Sequence, residues 1–146
     1  MIYSYKEGVK FYTDITFYDR KYRYAFDIGS TISTIPLNIL SRLYNISEEN
    51  ILTYLEDSGF ELAKGKDIGQ SKIKCYKAKI ENVNIGGDYY EEFYVAVVPS
   101  NVKCVLGQDF MLAHKTYMDY NYINVFDFNK ELYHSEDAKQ FKTIRL

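Results

Sequence analysis

The sequence has no long apolar run. None approaches the ~18 residues of a membrane-crossing helix, so a helical membrane protein is not expected. It also lacks an excess of basic charge. Eighteen Lys and Arg against 20 Asp and Glu give a formal net charge of −2, which leaves no electrostatic footprint for nucleic acid. The lysines are scattered among acids, so no basic membrane-surface face is expected. Cysteine is scarce: Cys75 and Cys104 lie far apart without a histidine cluster, which favours two buried thiols over a disulfide or a metal site. His114 and His134 stand alone, and surface or structural roles are expected for both. Proline-rich and low-complexity tracts are missing, while 16 Tyr and 9 Phe oppose disorder. The opening MIYSYKEGVK lacks the charged-then-apolar layout of a signal peptide, so the expected location is cytoplasmic. No internal repeat is visible. A chain of 146 residues is expected to form one domain, 1–146, with a real core.

What is present is mostly strand patterning. In VKFYTDITF (9–17), Val9, Phe11, Thr13, Ile15 and Phe17 share one face of a half-buried strand. YDRK reads as a turn, and YRYAF as the returning strand, with Tyr22, Tyr24 and Phe26 on one side. IPLNILSRLYN then reads as a helix with Pro36 at its start. A second helix is expected from Ser47, a good N-cap, through Glu48 and Glu49 to a stop at Gly59. FELAKGKDIGQSKIKCYKAKI reads as two arms around a tip at Gly65, Lys66, Asp67, Ile68 and Gly69. Gly86–Gly87 marks a tight turn, and EEFYVAVVP is apolar enough for a central strand. Asp109 is expected to cap a short helix at about 109–115, and a last hairpin is expected around Asn129.

Several familiar chemistries do not fit. The "IGG" at 85–87 lacks a phosphate-loop pattern and no helix follows it, so a hairpin turn is the better reading. Ser30 is not embedded in a nucleophile elbow.

Two separated segments remain. YAFDIGSTIST runs an apolar strand into Asp27, where an unpaired buried carboxylate would be costly. Either Asp27 occupies a solvated turn, or its charge has a task. Much later comes CVLGQDFM. The pair, in this order and with a candidate hairpin between them, resembles the retropepsin-like aspartic peptidases. Asp27, Gly29 and Ser30 match that family's Asp-Thr-Gly-Ala/Ser loop; Leu106, Gly107, Asp109 and Phe110 match its later apolar-Gly-Arg-Asp/Asn segment.

The resemblance implies a mostly β, retropepsin-like acid-protease barrel; the two helices expected at about 36–58, a helical insertion after the catalytic loop, depart from the family's minimal viral form. It implies a homodimer, because the chain carries one Asp-x-Gly motif and the chemistry needs two. Two adjacent carboxylates hold one proton between them, so one acts as base on a water and the other as acid on the scissile peptide. Asp27 is the implied catalytic residue, in an active-site loop with Ile28, Gly29, Ser30 and Thr31. Leu106, Gly107, Gln108 and Asp109 form the supporting motif, and 65–69 the flap over a peptide or protein substrate. No cofactor and no metal are implied. A Ser30 hydroxyl beside Asp27 is expected to donate to its outer oxygen. Two positions depart from the family pattern. Ile28 replaces the Thr whose hydroxyl bonds across the dimer axis, and Gln108 replaces an Arg that pairs with an acid where this chain has neutral Thr31. A catalytically inactive peptide- or protein-binding dimer, and an unrelated small barrel with Asp27 as a turn residue, are the alternatives.

Overall fold

The computed structural model describes residues 2–63, 74–114, 116–119, 124–126 and 140–146, with backbone only for 117–119 and 124–126. An antiparallel meander opens the chain: β1 (Ile2–Glu7), β2 (Lys10–Phe17) and β3 (Arg20–Phe26). Its registers set Ser4 opposite Thr13, and Thr13 opposite Tyr24. The expected alternation of β2 holds from Phe11 to Phe17, with every second residue buried. Val9 departs from it. Gly8 takes a left-handed φ of 65°, and the resulting turn leaves Val9 86% exposed. β1 has no counterpart in the sequence reading, because its inward side is Ile2 and Ser4 rather than an apolar row.

A long hairpin forms the other half of the sheet. β5 (Tyr76–Ile85) and β6 (Asp88–Val98) pair from Tyr76↔Val97 to Ile85↔Asp88 around the expected Gly86–Gly87 turn. Gly86 has φ +57°, and a Cβ there would lie 2.7 Å from the Tyr3 amide nitrogen. Its own backbone bonds to Tyr3 and Asp14 lock the turn against β1 and β2. β6 is central as expected, flanked by β5 and by β4 (Thr34–Pro36). Three short strands pair in parallel: β4 on β6, β7 (Val105–Leu106) on β3, and β10 (Lys142–Thr143) on β5. β8 (Tyr117–Asp119) and β9 (Asn124–Phe126) complete the sheet beside β1.

Two helices interrupt the strands where expected. α1 (Leu37–Tyr44) follows Pro36 and ends at Asn45 in the left-handed region. α2 (Glu48–Asp57) starts at Ser47, whose hydroxyl accepts the Asn50 N–H at 3.2 Å, a cap that contributes about 1 kcal/mol. Ile39, Leu40, Ile51 and Leu55 of this pair are buried in the same core as Phe17, Tyr24 and Phe93. Each such side chain contributes roughly 1.5–3 kcal/mol by leaving water. The short late helix, α3, spans Gln108–His114, one residue earlier than expected. Phe110 and the buried His114 stack on its inner side, with ring centroids 4.4 Å apart.

The expected arms around 65–69 meet at their base: the Ala63 amide donates to Cys75 O (2.7 Å), and Lys77 to Glu61 O (2.8 Å). The tip, Gly65 to Gly69, lies outside the described residues, as does the hairpin expected around Asn129. Neither Cys75 nor Cys104 is in a disulfide. Among the described residues no helix is long and apolar enough to cross a membrane.

Candidate active site

β3 and β7 run in parallel, Ala25 beside Val105 and Phe26 beside Leu106, and both strands end there. The chain then leaves β3 through Asp27 and leaves β7 through Gly107. The two exits are stitched together. The Asp27 amide donates to Leu106 O (2.9 Å), Gln108 to Ser30 O (2.8 Å), and Asp109 to Thr31 O (3.2 Å). The Gln108 side-chain amide donates to the Ile28 carbonyl. Gly107 makes this closeness possible. A Cβ on it would stand 2.7 Å from the carbonyl carbon and oxygen of Ile32, and 2.8 Å from Ser30 O. Those are backbone atoms that cannot swing aside.

Below the loop lies a buried polar knot that the sequence reading did not single out. Ser33 and Thr34 are buried. Ser33 donates to Asp109 Oδ1 from its amide (2.9 Å) and its hydroxyl (2.8 Å), while its hydroxyl oxygen accepts the Gly107 N–H at 3.0 Å. Thr34 does the same between strands: its hydroxyl donates to Lys103 O (2.6 Å) and accepts from the Val105 amide (3.0 Å). Tyr24 OH closes the knot on Thr34 O at 2.7 Å. The hydroxyl cluster of 30–34 was the visible signal; its partners 70 residues away were not.

Asp109 therefore does not cap α3 as expected. It sits within the first turn and also accepts from the Phe110 amide at 2.8 Å. Burial pushes its carboxyl above the ordinary range, against the opposing pull of the Ser33 and Phe110 donors.

Asp27 stands at the exposed tip. Its Oδ1 accepts the Gly29 N–H at 2.9 Å, and among the described residues no cation pairs with it. The expected Ser30 donor is absent, because the Ser30 hydroxyl is spent on Ile32 O at 2.8 Å. A backbone amide thus holds the carboxylate where a side-chain hydroxyl was expected. Ile28 is 72% exposed beside it. Asp27, Gly29 and Ser30 floor an open cleft of about 250 Å³ whose walls are Ile32, Thr34, Val102, Lys103 and Val105. The nearby Cys104 thiol is pushed up to about 11 by burial, so it keeps its proton and is a poor nucleophile. No cluster of three or more metal-ligating side chains occurs among the described residues. What the cleft offers chemically is one held, solvent-facing carboxylate, with the Lys103 cation on its wall.

No protein-family model matches the sequence, and no curated protein matches it. Solved structures do. A retropepsin-like aspartic protease from Rickettsia conorii superposes with a TM-score of 0.53 at 12% identity, over 82% of this chain and 83% of that one. The retroviral protease-like domain of Ddi1 from Leishmania major superposes with a TM-score of 0.56 at 16% identity, over 86% and 90%. The fold is retropepsin-like. In its sheet β4 and then α1 and α2 follow the Asp27 loop, the helical pair being the expected departure from the minimal viral form, and α3 follows β7, where the second motif's resemblance implied a helix.

Proposed function

We propose that the protein is an aspartic endopeptidase that works as a homodimer, each subunit supplying Asp27. The observation that carries this reading is the exposed Asp27 carboxylate at the tip of a loop stitched to Gly107–Asp109. A single chain offers one carboxylate on an open surface. A second copy related by a two-fold axis supplies the other through an isologous contact. At hydrogen-bond distance the two carboxylates share one proton. The ionised member takes a proton from water as that water attacks the peptide carbonyl; the protonated member stabilises the developing oxyanion and then protonates the leaving amine. No acyl-enzyme forms, so no Ser or Cys nucleophile is needed. Peptide in an extended form suits the cleft, because its main chain can bond along it and alternate side chains enter its walls.

Ile28 favours a second reading. It cannot supply a hydroxyl across the axis, and a dimer with looser loops would bind peptides without cutting them. One experiment separates the two: wild type and Asp27→Asn are incubated with a peptide library and the products are read by mass spectrometry. Cleavage by wild type and none by Asp27→Asn is the expected result. Cleavage by both removes Asp27 from the chemistry, and cleavage by neither leaves the binding dimer.

A further inference from the structure

The Asp27 cleft does not end at Lys103. Val102 and Lys103 are shared with a neighbouring groove of about 490 Å³ that runs between β2, β3 and the start of α1. Its lining includes four cations, Lys10, Arg23, Arg42 and Lys103, and no carboxylate. On a chain with a net charge of −2, this is a local reversal of sign. Arg23 is already engaged, paired with Glu7 and stacked 3.7 Å from the centre of the Tyr12 ring. Lys10, Arg42 and Lys103 have no ion pair among the described residues. At the start of α1 the Asn38 amide donates to Ser100 Oγ (3.1 Å), whose hydroxyl bonds the Glu48 carboxylate, so the groove's positive field comes from its side chains.

We propose that this groove binds an acidic stretch of polypeptide, and that the substrates of the adjoining cleft carry acidic residues to one side of the bond placed over Asp27. The substrate part of this inference rests on the peptidase reading; the groove's preference for acidic peptide does not. Continuity with a cleft suited to extended chain argues for peptide rather than nucleic acid. So does Tyr12, whose ring carries the Arg23 guanidinium on one face and leaves less room for the base stacking on which single-strand binders depend.

The test uses Asp27→Asn protein, to prevent cutting, and three fluorescein-labelled peptides with a common apolar centre and a flank of Glu, Gln or Lys. Fluorescence anisotropy gives the affinities. Three exposed ion pairs should tighten the Glu peptide by about ten-fold over the Gln peptide, and added salt should erase the difference. Adding Lys10→Glu and Arg42→Glu should transfer the preference to the Lys peptide; the milder Arg42→Gln should reduce it if the double variant fails to fold. Equal affinities, or no binding of any peptide, overturn the proposal. Tighter binding of an oligothymidylate of the same charge overturns it too. Cleavage by wild type is read separately. A Glu preference without cleavage keeps the groove and sinks the peptidase; cleavage without a charge preference does the reverse.

Discussion

The loop after β3 and the first turn of α3 each carry an aspartate, and the fold treats them oppositely. Asp27 faces solvent with one amide donor on its carboxylate. Asp109, a few hydrogen bonds away, is half-buried and receives three donors on a single oxygen. Both would be written as an Asp in a short motif. The difference lies in what surrounds them: a carboxylate that anchors a junction needs its lone pairs consumed, and one that works on water needs them open. In the proposed peptidase, the Asp109 region fixes the geometry and the Asp27 region uses it.

The sharpest way to break this division is to spoil the junction itself. Gly107→Ala drives a methyl into the backbone of Ile32 and Ser30. It should cost about 3 kcal/mol and remove activity with the fold weakened, as read by urea unfolding. A variant as stable as wild type would show that the two exits are not held as closely as described. Asp109→Ala should cost somewhat less, about 2 kcal/mol, because the Ser33 amide and hydroxyl and the Phe110 amide lose their acceptor. The corresponding Asp27→Asn change should be nearly neutral in stability, within about 0.5 kcal/mol for an exposed side chain. Equal costs at the two aspartates would erase the contrast.

Asp109→Asn sharpens it with pH. Asn keeps an acceptor oxygen but cannot ionise. The Asp109 carboxyl is raised by burial, so the folded state holds its proton more tightly than the unfolded chain does. Wild type is then stabilised below the unfolded carboxylate range, near pH ~4, and loses that stability as pH rises through the raised value. Unfolding measured across this window should show wild type losing ground to Asp109→Asn with rising pH, and a flat difference on either side. The opposite slope would mean that the donors, not burial, dominate at Asp109.

A smaller effect than at the junction is expected at Ile28, and it is on association rather than on folding. Its side chain is 72% exposed within the chain, so Ile28→Thr sacrifices little packing there. A hydroxyl bonded across the dimer axis should tighten dimerisation by about 1 kcal/mol, measured by sedimentation. Weaker association would show that the two Ile28 side chains pack on each other instead.

Local features were legible in the sequence because their causes are local. Ser47 caps α2 through the amide three residues on, and Gly86–Gly87 turns a hairpin by left-handed backbone. The continuous apolar run of β6 announced a strand covered on both sides. The Asp27 and Gly107 motifs were visible as a pair through resemblance. What sequence could not supply was partnership at distance. Ser33 looks like one hydroxyl among several until Asp109, 76 residues later, lies beside it. Ser30 looked like the donor to Asp27 because it is near in sequence, yet the loop turns its hydroxyl to Ile32 O. β1 was illegible because a buried serine, bonded to Ile2 O, takes a place where alternation leads one to expect an apolar side chain.

The most direct test of a catalytic pair built from two copies of Asp27 is the activity of mixed dimers. Wild type and Asp27→Asn subunits are unfolded together, refolded at varied ratios and fixed total concentration, and assayed on a cleaved peptide. Activity falling with the square of the wild-type fraction is the expected result. A linear fall, or activity in pure Asp27→Asn, would contradict a site that needs both carboxylates.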